Sequence, residues 1–138
     1  MRYIKRTIVI CFLIIVVLFV LNSYAYHEKN DCSSIESIQY NRYLDSDKRQ
    51  IYTSLEEIKK VERKIRQINF YPSNDKTPLQ ESPTMSIIIN YKDGIKKSIN
   101  MVENRVLMVM QSNDGTILKE QSRFYYVNPL EVRFLIEE

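Results

Sequence analysis

Histidine and cysteine, which most often serve as general bases, nucleophiles and metal ligands, are scarce in this 138-residue chain. His27 is the single histidine, and Cys11 and Cys32 are the two cysteines. Any Ser–His or Cys–His catalytic pair would have to use His27. A structural zinc site draws its four ligands mainly from these two residue types. We therefore predict no metal site and no other cofactor.

The two glycines exclude the common phosphate-binding and nucleophile motifs. A Gly-x-Ser-x-Gly elbow, a Gly-x-Gly-x-x-Gly turn and a P-loop each need several glycines close together. Gly94 and Gly115 instead stand far apart, each directly after an aspartate. Asp-Gly pairs are typical of β-hairpin loops, because those loops need a positive φ.

Two acidic clusters have simpler interpretations than catalysis or calcium binding. Asp45-Ser46-Asp47 begins like a calcium loop, but Arg49 and Ile51 stand where further oxygen ligands are needed, so a turn is favoured. Neighbours such as Glu56 and Glu57 diverge by about 100° on a helix. An acid–base site needs only two carboxylates in a cleft, but no spacing indicates one. We predict no catalytic residue and no enzyme activity.

The first 26 residues differ in composition from the rest. Arg2, Lys5 and Arg6 precede an unbroken apolar run from Ile8 to Leu21. Removing these three from the 20 Lys and Arg leaves 17, which equals the 17 Asp and Glu, so the remainder is formally neutral. A nucleic-acid partner is therefore not expected, because its phosphates require an excess of positive charge.

Residues 1–26 predict either a signal peptide or a membrane anchor. Ser23 and Ala25 suit cleavage after Ala25, whereas residues 7–26 could just span a bilayer, which takes about 20 residues. Both alternatives remain open. Basic residues before the segment keep the amino terminus in the cytoplasm. We expect a single-pass cell-membrane protein with its C-terminal domain outside, or a secreted protein.

The exported part divides into a stalk, residues 27–34, and one domain, residues 35–138. The stalk is polar, and Cys32 within it is interpreted as an ordinary mobile thiol rather than an interchain disulfide. Residues 35–44 and 49–53 predict a hairpin around the turn at 45–48. Residues 69–83 hold three of the four prolines and predict a loop.

An amphipathic helix is predicted from Leu55 to Ile68. Ser54 and Glu57 form a capping box, and apolar residues recur at three- and four-residue steps after it. Glu62 and Arg66 stand four apart and are expected to pair on the solvent side.

The hydrophobic pattern selects the register of the first late hairpin. A three-residue loop ending at Gly94 pairs Ile87 with Ile99 and places the large apolar residues on one face. A tight turn at Glu103–Asn104 continues that face, and Asn128-Pro129 opens a short closing helix.

The opposite face of this meander is unexpectedly apolar. Ile88, Leu107 and Val109 point there, although an exposed face would alternate more cleanly. Two interpretations remain open. The closing helix covers them with Leu130, Phe134 and Leu135, or they form an interaction patch for a partner.

Three segments resemble small exported or membrane-tethered domains of unknown function from low-GC Gram-positive bacteria. They are residues 51–58, residues 87–94 and residues 126–130. The resemblance implies no catalytic residue. A helix followed by a meander also resembles cystatin-like folds.

We thus expect an α+β fold: a meander of about five to six antiparallel strands packed on one amphipathic helix, with a short C-terminal helix and an N-terminal membrane or export helix. The expected function is non-catalytic binding in the cell envelope. The alternative is a small envelope enzyme or enzyme inhibitor.

Overall fold

The computed structural model describes residues 1–43, 48–118 and 122–137. The fold is α+β, as predicted, with a seven-stranded antiparallel sheet rather than the five to six strands expected. In chain order the elements are α1 (Arg2–Ser23), β1 (Ile35–Arg42), β2 (Lys48–Tyr52), α2 (Leu55–Arg66), β3 (Tyr71–Pro72), β4 (Met85–Tyr91), β5 (Lys96–Val102), β6 (Arg105–Gln111), β7 (Arg123–Tyr126) and α3 (Pro129–Glu137).

The sheet has the strand order β2-β1-β4-β5-β6-β7-β3. The hairpin β1–β2 adds to the β4 side of a β4–β7 meander, and β3 closes the other side. The chain therefore leaves one edge of the sheet at β2, follows α2, and rejoins the sheet at the opposite edge. The extra strand, β3, lies in the segment 69–83 that the proline pattern predicted to be a loop.

The apolar helix α1 is 22 residues long, about 33 Å at the usual rise per residue. Its stretch Arg2–Val20 has a mean hydropathy of 2.5 and buries nothing within the protein. The helix is thus long and apolar enough to be a membrane span or a signal sequence.

Helix α2 begins with the predicted capping box. The Ser54 hydroxyl accepts a hydrogen bond from the Glu57 amide, and the Glu57 carboxylate accepts one from the Ser54 amide. Ile58, Val61 and Ile65 are buried as expected, whereas Leu55, the first residue of the helix, is exposed. The helix ends at Arg66, before the predicted Ile68, which is buried beyond it.

The predicted register of the β4–β5 hairpin is confirmed. Ile87 pairs with Ile99, and the loop closes with Tyr91 N donating to Ile95 O at 2.9 Å. Gly94 has a φ of 90° and lies against Asn113 of the next hairpin, where a Cβ would come within 2.6 Å of the Asn113 Cβ. Glycine is therefore required at this loop both for its backbone conformation and for the close approach.

The core lies between one face of the sheet and the two helices α2 and α3. We call this the inner face. Strand residues on it are buried, among them Ile38, Ile87, Ile99 and Met108. From α3, Val132 and Ile136 complete the core.

Residues 27–34, predicted to be a stalk, pack against the domain, and the stalk interpretation is wrong. Tyr26 pairs with Phe70 in an antiparallel bridge, and Glu28 is 1% exposed. Cys32 begins a short 3-10 helix and packs against the core. The prediction assumed that polar residues would be exposed. Instead, Glu28 and Asn30 form hydrogen bonds with groups of the domain. The predicted turn at 45–48 lies mostly outside the described residues.

Candidate functional site

The candidate site is the face of the sheet that points away from α2, here called the outer face. Because strand residues alternate, its members follow from the inner-face register. They are Ser37, Gln39, Asn41, Arg49, Ile51, Tyr71, Ser86, Ile88, Asn90, Lys96, Ser98, Asn100, Val102, Arg105, Leu107, Val109, Gln111, Phe124 and Tyr126.

The closing helix does not cover this face. Val132 and Ile136 anchor α3 in the inner core beside α2, while Leu130 and Phe134 remain 69% and 64% exposed. Leu135 packs at the margin of the same inner core. The prediction that α3 covers Ile88, Leu107 and Val109 is therefore wrong. The sequence showed an amphipathic helix but not which side of the sheet it would join.

The predicted patch residues are brought close together, with one addition. Leu107 lies opposite Phe124 on β7, and Val109 is two residues further along β6. Ile88 lies on β4, two strands away from Val109, and Ser98 on β5 lies between them. All are half-buried among their neighbours. We call Leu107, Val109, Phe124 and Ile88 the apolar patch.

Phe124 was missed because the loop before β7 left its register undecided. Because strand residues alternate, either Phe124 or Tyr125 points to the outer face. The pairing of Val106 with Tyr125 settles the choice, since both are buried inward. Tyr126 and Tyr71 then pair at the edge and are 38% and 40% exposed.

The rest of the outer face is mainly polar. Three of its described members that pair in the sheet are charged, namely Arg49, Lys96 and Arg105. The Asn41 amide donates to the Ser86 hydroxyl at 3.1 Å, and the Asn90 amide to Ser37 at 3.0 Å. These side-chain hydrogen bonds hold the polar part of the surface in place.

Two buried carboxylates come together on the other side of the molecule. Glu28 accepts hydrogen bonds from Tyr26 Oη at 2.8 Å and Lys97 Nζ at 2.9 Å. Glu62 accepts from Arg66 Nη2 at 2.8 Å and from the Asn30 amide at 3.2 Å. Both carboxylates are at most 2% exposed, so they fix the segment 27–34 and cannot reach a substrate.

This geometry corrects the expectation that Glu62 pairs with Arg66 in solvent. The ion pair forms, but residues 28–34 cover its acidic partner. Burial, followed by the hydrogen bond to Glu28, raises the pKa of Tyr26 above its usual value. Tyr26 therefore stays a neutral donor.

One shallow cleft of about 260 Å³ does bring two carboxylates together, Glu57 and Glu137, between α2 and α3. Both have structural partners. Glu57 caps α2, and hydrogen bonds from Ser54 hold its pKa below the usual value. Glu137 accepts from Tyr40 Oη at 2.9 Å and pairs with Arg42 Nε at 2.6 Å. A low-pKa cap and an ion-paired carboxylate make a poor acid–base pair.

Within the described ranges, no group of three or more His, Cys, Asp or Glu is arranged to hold a metal ion. Comparison of the chain with protein families, with curated proteins and with solved structures finds no match. The outer face is the side of the sheet on which neither α2 nor α3 packs.

Proposed function

We propose that this chain is a membrane-anchored, extracytoplasmic module that performs no catalysis and binds a protein partner of the cell envelope through the outer face. One observation carries the proposal: α3 packs beside α2, which leaves the apolar patch on the far side of the sheet open. The resemblance to small tethered domains of low-GC Gram-positive bacteria is consistent with this location.

A protein partner suits the composition of the outer face. Protein interfaces are poor in charge at their centre and rich in aromatic residues. The patch around Leu107 and Phe124 has both properties, and the tyrosines 71 and 126 stand beside it. Contiguous apolar surface rimmed by polar residues is typical of protein-binding sites.

Retention of α1 as an anchor is favoured by its length. A helix of about 33 Å matches the hydrocarbon thickness of about 30 Å. Arg2, Lys5 and Arg6 precede the apolar run and keep the amino terminus in the cytoplasm. The domain then stands outside. Cleavage after Ala25 would release the same domain with an unchanged outer face.

The proposal is tested by photo-crosslinking in intact cells from a benzoylphenylalanine placed at Val109. We expect a discrete protein adduct that Leu107→Lys abolishes. Leu130→Lys is the matched control, because it makes the same exchange at an exposed position on α3. The proposal is wrong if no protein adduct forms, or if both lysine variants reduce the adduct equally.

A further inference from the structure

The peptide bond between Ala25 and Tyr26 is the cleavage site that the small residues at positions 23 and 25 favour. In the folded chain this bond lies between two ordered parts of the protein. Helix α1 ends at Ser23, and Tyr26 already forms the bridge with Phe70. Only Tyr24 and Ala25 therefore lie between the end of α1 and the start of the domain.

The residue after this bond is held by its backbone and by its side chain. Tyr26 N donates to Phe70 O at 2.6 Å, and Phe70 N donates to Tyr26 O at 3.1 Å. The Tyr26 ring stacks on the Tyr125 ring, with centroids 5.3 Å apart and planes 19° apart. The Tyr26 hydroxyl donates to the Glu28 carboxylate at 2.8 Å. Backbone hydrogen bonds, a ring stack and a side-chain hydrogen bond thus fix this side of the bond.

The next residues of the chain are fixed in the interior of the domain. Glu28 is 1% exposed and accepts a hydrogen bond from Lys97 Nζ at 2.9 Å. Asn30 N donates to the Glu62 carboxylate at 3.2 Å, and the Tyr91 hydroxyl donates to the Asn30 amide oxygen. These partners belong to β5, α2 and β4, so this part of the chain can detach only by breaking contacts with three elements.

This packing opposes proteolysis at the Ala25–Tyr26 bond. Proteases act on exposed, mobile chain, and cleavage of a structured segment passes through an opened state. Here α1 fixes the residues before Tyr24, and the domain fixes the residues after Ala25. The rate of cleavage in the folded chain is therefore set by how often residues 26–30 detach from the domain.

We propose that docking of residues 26–30 protects the Ala25–Tyr26 bond from the membrane-bound peptidase that removes signal peptides, so that a chain which folds before it is cut retains α1. Hydrolysis breaks the amide with one water molecule, leaving a carboxylate on Ala25 and an ammonium on Tyr26. The bond is open to the peptidase only until Phe70 and Tyr125 have been exported and have packed against Tyr26. The order of these events decides whether the domain is anchored or released.

The test is cleavage of the folded full chain, in detergent micelles, by a purified signal peptidase. Lys97→Met is the informative variant, because it removes a contact of Glu28 and leaves the sequence around the bond unchanged. Loss of a hydrogen bond between charged groups raises the detached population about tenfold or more. We therefore expect Lys97→Met to be cut about tenfold faster than the wild-type chain, with Tyr26 as the new amino terminus in N-terminal sequencing.

Lys96→Met is the matched control, because Lys96 precedes Lys97 on β5 and lies on the outer face. It should be cut as slowly as the wild-type chain. Hydrogen–deuterium exchange of the same samples separates local detachment from global unfolding. We expect faster exchange of Lys97→Met in residues 26–34 and unchanged exchange in β4, β5 and β6.

A second variant decides the question if Lys97→Met fails to fold or exchanges faster throughout the sheet. Tyr91→Phe keeps the ring and removes only the hydroxyl that donates to Asn30. Loss of one neutral hydrogen bond should speed cleavage about threefold.

Equal cleavage rates of the wild-type chain and the loosened variant would overturn the proposal, because docking would then give no protection. Resistance of every variant would overturn it as well, since the bond would not be a substrate of the peptidase. Equal acceleration by Lys96→Met and Lys97→Met would also contradict it. The inference rests on the extracytoplasmic location proposed above, but not on the partner of the outer face. Absence of the Val109 adduct would contradict that partner and leave these cleavage rates unchanged, so the two proposals fail separately.

Discussion

Tyr26 and Phe70 exchange both backbone hydrogen bonds, so the chain joins the fold three residues after α1 ends. Tyr26 also holds Glu28, because the Tyr26 hydroxyl donates a hydrogen bond to the Glu28 carboxylate. The segment after α1 is therefore an integral part of the domain, and its buried charges should be measurable in the stability of the protein.

Glu28→Gln should lower the free energy of unfolding by about 2–3 kcal/mol. The amide keeps the shape and still accepts a hydrogen bond, but it leaves Lys97 without its buried carboxylate. Urea unfolding of the detergent-solubilised chain, followed by circular dichroism, would measure the change. Glu36→Gln, at an exposed carboxylate on β1, should be nearly neutral. If the two variants lower the free energy of unfolding equally, residues 27–34 would be a tether rather than a part of the domain.

Leu107→Lys and Met108→Lys should differ sharply although they are neighbours on β6. Met108 is 5% exposed on the inner face, so a lysine there buries a charge and should cost about 3 kcal/mol or more. Leu107 lies half-buried on the outer face, where a lysine can extend into solvent at a cost below about 1.5 kcal/mol. Thermal unfolding would compare them. A large loss for Leu107→Lys would show that the patch is core.

Cys32 should react slowly with iodoacetamide at pH 8. Burial, then the neighbouring Glu62 carboxylate, raises the pKa of this thiol above its usual value, and only the thiolate reacts. The rate should keep increasing with pH over a range in which the rate for free cysteine has already levelled off. Measured in a Cys11→Ser background by mass spectrometry, Glu62→Gln should speed the reaction, and Glu56→Gln should not. A rate equal to that of free cysteine would contradict this.

The domain should lose stability between pH 10 and pH 12 through its buried tyrosines. Burial, then the nearby Glu28, raises the pKa of Tyr91 from 10.0 to about 12. Below pH 10 the hydroxyl is protonated in both states, so stability is unaffected. Above it the unfolded chain loses its proton first, and stability falls as the pH rises towards 12. Tyr91→Phe should flatten this slope in unfolding curves measured at successive pH values; an unchanged slope would refute the assignment.

Local patterns predicted the parts of the fold that short-range contacts determine. Ser54 and Glu57 cap α2 as expected, because both partners lie within one turn. Ile87 pairs with Ile99 because the loop conformation at Gly94 and the apolar alternation agree. The opening of α3 at Pro129 follows from the same kind of short-range signal.

Long-range packing was beyond the sequence pattern. Nothing in the sequence indicates that Glu28 and Glu62 are buried. They are 34 positions apart in sequence, and only the fold shows that Asn30 bridges them. The side of the sheet chosen by Val132 and Ile136 depends on space left beside α2. The outward direction of Phe124 required the register of β7, which the preceding loop did not determine.

The short connection between α1 and the bridge at Tyr26 also limits how far the domain can reach. If α1 is retained, no long flexible linker joins it to the domain, so the domain stays within a short distance of the lipid surface. Under the function proposed above, a protein partner would have to lie close to the membrane and would meet the domain by lateral diffusion. No long linker dilutes the domain over a larger volume, and modest contacts can then suffice for capture.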